Sequence, residues 1–219
     1  MIKLKVDKFN PLKSNSLFGH SQYFNILTNL YKQKKFPKVT LFSGEKGIGK
    51  FTLTLHLINS IYSENNQQYD YTNKIINIQN PFYKKILLNV NENFEYIGKN
   101  DHKKVSIDQV REIKKKLNAS SFNDLPRFVI FDDADQLSSS SANALLKLIE
   151  EPSRLNHFIL INNKRKKIIE TLKSRALEIK IFLKKKEREN ILENLKEKFR
   201  VRSENYSSFV YKTTPGIAI

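Results

Sequence analysis

The chain has 219 residues, no cysteine, and 39 Lys and Arg against 22 Asp and Glu, for a net charge of +17. That length suits one large domain plus part of a second, and the lack of cysteine excludes disulfides and thiolate zinc sites. No run approaches the roughly 20 apolar residues of a membrane span, and the amino terminus lacks a signal-peptide core, so a cytoplasmic protein with no membrane partner is expected.

Phe24, Leu27, Leu30 and Tyr31 recur at helical spacing, predicting one amphipathic helix ahead of Pro37. The next stretch, V-T-L-F-S-G-E-K-G-I-G-K-F-T from Val39 to Thr52, reads as a strand, a glycine-rich turn and a helix start. Val39, Leu41 and Phe42 form the short apolar run of a strand buried on both faces. Gly44, Gly47 and Gly49 are expected to bend the backbone through positive φ and turn N–H groups inward. The helix beginning near Lys50 adds the positive end of its dipole, which makes a cup suited to phosphate. Lys50 fits the lysine of G-x-x-x-x-G-K-[ST], the P-loop pattern, but Phe51 stands where a hydroxyl would hold magnesium, and Thr52 offers one a position late. The other reading is a glycine-rich turn without a ligand.

Leu53, Leu57, Ile58 and Ile61 then mark one face of a helix that fades by Ser63. Residues 63–85 are polar, rich in Asn, Gln and Tyr, and carry no strong period, so an irregular insertion is expected. Phe94 to Ile97 predicts a short strand, Ser106-Ile107-Asp108-Gln109 a capping box, and Val110, Ile113 and Leu117 the inward face of the helix it opens. Arg111, Lys114, Lys115 and Lys116 lie around the other face, which is either a phosphate-contacting surface or a solvated basic one.

Arg127 to Asp135, R-F-V-I-F-D-D-A-D, is an apolar strand ending in clustered carboxylates. In a P-loop ATPase, Asp132 would hold magnesium through water and Asp133 would polarise the attacking water. The alternative is a solvated strand end with helix caps. Ser138 caps a helix with Ala142, Leu145, Leu146 and Ile149 inward, stopped by Glu150-Glu151-Pro152. Phe158 to Ile161 is a third buried strand, and the amides of Asn162-Asn163 either read a γ-phosphate, with Asn162 as the candidate, or cap a turn. A basic run, Lys164 to Lys167, precedes Ser174-Arg175-Ala176 and a strand from Leu177 to Phe182. A charged helix from Lys184 to Arg200 follows, with Ile191, Leu192, Leu195 and Phe199 on one face. Alternating strands and helices predict an α/β fold, a parallel sheet flanked by helices with ligands at the carboxyl ends of its strands. The expected division is a P-loop nucleotide-binding domain over 1–182 and a small, incomplete helical lid over 183–219.

Taken in order over residues 10–180, these segments resemble the AAA+ clamp-loader ATPases of DNA replication, and most closely the delta-prime subunits of bacterial DNA polymerase III. L-F-G-H at Leu17 to His20 is similar to the family's amino-terminal box, G-E-K-G-I-G-K to Walker A, and V-S-I-D-Q-V-R-E to the segment before Walker B. F-D-D-A-D-Q-L-S-S-S-S-A-N-A-L-L-K-L-I-E-E-P is similar to Walker B and its helix, and L-K-S-R-A to the S-R-C motif. The resemblance implies ATP, with or without magnesium, held by Gly44, Gly47, Gly49, Lys50, Phe51, Thr52 and Asn162, with Asp132 and Thr52 as the magnesium side and Asp133 as the catalytic acid. It implies Arg175 as an arginine finger acting in trans on a neighbouring subunit, the alternative being a surface ion pair. The implied partners are the tau/gamma and delta subunits, the sliding clamp and primed DNA.

Four residues depart from the pattern. Phe51 replaces the magnesium hydroxyl, Asp133 is shorter than the usual glutamate, Gly216 stands at the sensor-two arginine, and Ala176 replaces the S-R-C cysteine. The first three imply weakened hydrolysis in this component of a DNA polymerase III holoenzyme. The insertion lacks the four cysteines many relatives use for zinc, so no zinc is expected, and the missing collar domain implies a truncated form for which stable pentamer assembly is doubtful. The runner-up is an active ATPase similar to the tau/gamma subunit, using Thr52 and Asp133. A P-loop kinase would need an acceptor lid that is not found, and a plain nucleic-acid module has no use for the acids.

Overall fold

The computed structural model describes residues 11–63, 67–98, 105–118, 125–150, 152–164 and 166–199. In chain order these form α1 (Ser21–Lys32), β1 (Val39–Ser43), α2 (Lys50–Ile61), β2 (Tyr69–Asp70), β3 (Ile75–Ile76), α3 (Pro81–Leu87), β4 (Phe94–Ile97), α4 (Ile107–Asn118), β5 (Arg127–Phe131), α5 (Ser139–Ile149), β6 (Asn156–Asn162), α6 (Glu170–Lys173), β7 (Leu177–Lys180) and α7 (Lys185–Phe199). Contacts divide them into two compact units, one from 36–44 and 91–180, the other from the described parts of 1–35, 45–90 and 181–219.

The first unit holds a five-stranded sheet in the order β4-β5-β6-β1-β7, with every neighbouring pair parallel. Its inner strands are continuous apolar runs because both faces are covered, and Phe128 to Phe131 and Phe158 to Leu160 are fully buried. On one face Val39 and Leu41, Val129 and Phe131, and Phe158 and Leu160 alternate with period two and share a core with Val110, Ile113 and Leu117 of α4 and Ala142, Leu145 and Ile149 of α5. The predicted capping box is formed reciprocally: Ser106 N–H donates to Gln109 Oε1 (2.8 Å) and Gln109 N–H to Ser106 Oγ (3.2 Å). Ser138 Oγ accepts from Ser141 N–H at the start of α5. Parallel register pairs Ser43 with Asn162 and Phe131 with Leu160, so the carboxyl ends of β1, β5 and β6 share one edge. β7 ends at Lys180, two residues short of the predicted strand.

In the second unit α2 is not one-faced as its apolar period predicts. Leu53, Leu55, Leu57 and Ile58 are buried together with Thr54, His56 and Asn59. Buried polar groups need partners: Thr54 and Asn59 turn back onto the helix, Thr54 Oγ1 donating to Lys50 O and Asn59 Nδ2 to Leu55 O, while His56 reaches outward to Tyr69 and Ser14.

The described part of residues 63–85, expected to be irregular, instead contains the β2–β3 hairpin and the start of α3, joined by turns. The hairpin is anchored by Tyr69, which stacks on Phe24 at 5.5 Å and bonds His56 Nδ1 at 3.1 Å. Asn80 caps α3 by accepting from Phe82 and Tyr83 N–H, with Pro81 at its first position, and Tyr83 O–H donates to Leu12 O. In α7, Ile191 and Leu192 are buried and Leu195 half-buried. Gly216 and Arg165 lie outside the described residues. No helix among the described residues is long and apolar enough to cross a membrane.

Candidate functional site

The glycine turn uses positive φ at two of the three expected positions, Gly47 (φ 80) and Gly49 (φ 92). Gly44 does not, because its N–H donates to Asn162 O (3.2 Å) and extends the β1–β6 ladder one residue past the strand. Gly49 is the N-cap of α2 without a side-chain cap, so the first turn presents backbone N–H groups and the positive end of the dipole. Lys50 is buried, and its Nζ donates to Glu45 O at 2.6 Å, bridging the loop from end to beginning. Phe51 is buried as well, and Thr52 is half-buried.

Three residues that sequence spacing does not single out complete this loop. His20 Nε2 donates to Ile48 O, and a Cβ on Gly49 would lie 3.3 Å from it. Burial pushes the His20 pKa below its ordinary value, which favours the neutral ring, and its buried Nδ1 has no hydrogen-bond partner among the described residues. Glu45 Oε2 accepts from Arg188 Nη2 of α7 at 2.8 Å. The L-F-G-H box carries the only readable signal: Gly19 (φ 71) leaves room for Ile191 and His20 reaches the loop.

The acids form a second cluster, at the carboxyl edge of β5 and β6. Asp133 is buried in the left-handed region (φ 57, ψ 40), and its N–H donates to Asp132 Oδ1 (2.8 Å). Asn163 Nδ2 donates to Asp133 Oδ1 (2.6 Å) and Asp132 Oδ1 (3.2 Å). The side chain of Asn162, the sequence candidate, goes elsewhere: Nδ2 donates to Ser43 Oγ and Oδ1 accepts from Lys164 N–H. Tyr96 O–H donates to Asp132 Oδ2 (3.3 Å), its ring lying across Gly98, where a Cβ would collide with it. Burial and then the Asp132 charge raise the Tyr96 pKa, so the phenol stays a donor. Asp135 accepts from Asn163 N–H and Lys166 N–H and so shapes the loop after β6.

Gly44, Asn162, Asp132 and Asp133 thus share one sheet edge, and Gly47, Gly49 and Lys50 form the turn that leaves it in sequence. Arg175 follows α6, with Nε and Nη2 on Glu150 Oε1 (3.1 and 2.9 Å) and Nη1 on Thr171 O. It is an exposed ion pair within this chain. The glycine turn has the N–H groups and buried ammonium that a phosphate needs. Phe51, which follows Lys50, offers no side-chain oxygen to a metal ion, and Thr52 is the next hydroxyl on α2.

Residues 19–185 match the profile of the family described as DNA polymerase III, delta subunit. The replication factor C small subunit of Methanococcus maripaludis is 31% identical over 199 residues, covering 90% of this chain and 54% of that protein. The DNA polymerase III subunit gamma/tau of Mycoplasma genitalium is 27% identical over 202 residues, covering 90% and 32%. The chain therefore spans about half, or less, of the length of these curated relatives. Among solved structures, a DNA polymerase III gamma subunit-related protein of Thermotoga maritima superposes with a TM-score of 0.53 at 17% identity, covering 88% of this chain and 58% of that one. The RuvB Holliday junction branch migration motor of Thermotoga maritima gives 0.56 at 17% identity, covering 96% and 63%. These two show the P-loop α/β fold. From the profile match over most of its length, the chain belongs to the DNA polymerase III delta-subunit family, among the AAA+ clamp loaders.

Proposed function

We propose that this chain is a clamp-loader subunit of the delta-prime kind, which binds ATP weakly or structurally and donates Arg175 in trans to a neighbouring ATPase subunit. The observation that supports it is a buried Phe51 ring directly after a buried Lys50. The cation that grips phosphate is kept, while the hydroxyl that completes the metal's ligands is lost. Gly47, Gly49 and Lys50 would surround the phosphates, with Thr52 the nearest hydroxyl in sequence. Asn163, rather than Asn162, would stand beside the acids Asp132 and Asp133.

In this reading tau/gamma-like and delta-like subunits are the neighbours, and the assembly places a sliding clamp on primed DNA. Contact with DNA phosphates would fall to α4 and the Lys164 to Lys167 run, giving salt-sensitive, sequence-independent binding. On α4, Arg111 is engaged by Asp108, and Lys116 by Glu95 and Glu112. Lys114 and Lys115 would then carry most of that contact.

Replacing Arg175 by Ala is expected to leave this chain's nucleotide affinity within about twofold. The same change should lower the ATPase of a complex reconstituted with a neighbouring ATPase subunit by about 10-fold or more, since a finger arginine is worth on the order of 10³ or above in its best cases. Unchanged ATPase rejects the role. The second reading, an active ATPase, is favoured by the similarity to a gamma/tau subunit and by Asp133, buried and oriented by Asn163. ATP turnover by the isolated chain, abolished by Asp133→Asn, would select it.

A further inference from the structure

Glu45, second residue of the glycine turn, is held from two sides. Its carbonyl takes the Lys50 ammonium at 2.6 Å, and its carboxylate takes the Arg188 guanidinium at 2.8 Å. Two cations therefore converge on one residue of the loop, the second supplied by α7.

Packing fixes Arg188 there independently of the ion pair. Ile191, one turn on, packs against Gly19 so closely that a Cβ would lie 2.6 Å from its Cδ1. Farther along, Lys198 Nζ donates to Asn15 Oδ1 and Ser16 Oγ at 2.8 Å each. Arg188 Nε also donates to Leu183 O (3.3 Å), which aims the guanidinium. α7 is thus seated along residues 15–20, next to the His20 that holds Ile48.

A carboxylate at the lip of a phosphate cup repels a polyphosphate, and a neighbouring guanidinium cancels that charge. The Glu45 side chain is 57% exposed and that of Arg188 28%, so the pair is screened and readily exchanged. A guanidinium can hold a phosphate through two parallel bonds, whereas Arg188 meets Glu45 through Nη2 alone. We infer that Arg188 is a second phosphate-binding cation, which passes from Glu45 to a nucleoside polyphosphate when one enters, so that the ligand tightens α7 onto the loop. This rests on the nucleotide-binding reading above and adds a residue to it.

Titration of the full chain with fluorescent ATP and AMP analogues tests the inference on the wild type, Arg188→Ala, Arg188→Lys and Glu45→Gln. Arg188→Ala is expected to weaken ATP by about 10-fold and AMP by less than about twofold, and Glu45→Gln to tighten ATP by about threefold. Arg188→Lys keeps the charge and the helix packing, and should lose about threefold for ATP alone. It keeps the experiment decisive if Arg188→Ala lowers the melting temperature. If the two residues only clasp α7, both alanine and glutamine variants weaken binding, or ATP and AMP weaken equally; either result overturns the transfer while leaving nucleotide binding intact. A wild type that binds neither analogue overturns both readings.

Discussion

Asp133 combines two costs at one residue: a left-handed backbone and a buried carboxylate. Its compensation is local, the Asn163 amide at 2.6 Å, which also reaches Asp132. Removing that amide takes one donor from both acids, so Asn163→Ala is expected to lose about 1–3 kcal/mol in urea denaturation. Asn162→Ala should lose less, because its bonds to the Ser43 hydroxyl and the Lys164 N–H join neutral groups, which are weaker than bonds to a carboxylate. Equal losses would contradict the assignment. The acids were legible as an apolar strand ending in carboxylates. Which of two adjacent asparagines meets them was not, since one residue of register turns a side chain to the opposite side, and β6 runs to Asn162, farther than its apolar run indicates.

Among the elements, the insertion between α2 and β4 departs most from its sequence reading. Strands of two residues are too short to show a period, and only Asn80-Pro81 carries a readable start signal, for α3. The hairpin is held instead by contacts distant in sequence, with His56 of α2 bonding both the Tyr69 hydroxyl and Ser14 O. Burial, more than any nearby charge, pushes the His56 pKa down to about 3. The unfolded chain titrates near the ordinary value of about 6.5. Below that value the unfolded state takes up a proton that the folded state refuses, so this contribution is complete above about pH 6.5 and is lost as pH falls toward 3. Burial lowers His20 and His157 in the same direction. Thermal melts should therefore fall from about pH 7 to about pH 5, with His56 alone accounting for about 2 kcal/mol at the lower end. His56→Gln should flatten the slope, and parallel slopes for variant and wild type would assign the pH dependence to other groups.

At the scale of the whole molecule, the parallel sheet was legible because its inner strands are buried on both faces and read as unbroken apolar runs. The register that sets Gly44, Asn162 and the acids along one edge follows from that sheet. The placement of α7 was not legible. Its ties to residues 15–20 and to Glu45 join segments far apart in the chain, and a charged helix carries no mark of its partner. The central claim is that the glycine turn leaving this edge is a nucleotide site, and equilibrium binding of a fluorescent ATP analogue to wild type and Lys50→Ala tests it most directly. The account predicts saturable one-to-one binding that weakens at least about 10-fold in Lys50→Ala while the far-ultraviolet circular dichroism is unchanged. No saturable binding by the folded wild type, or equal affinity in the variant, would contradict it.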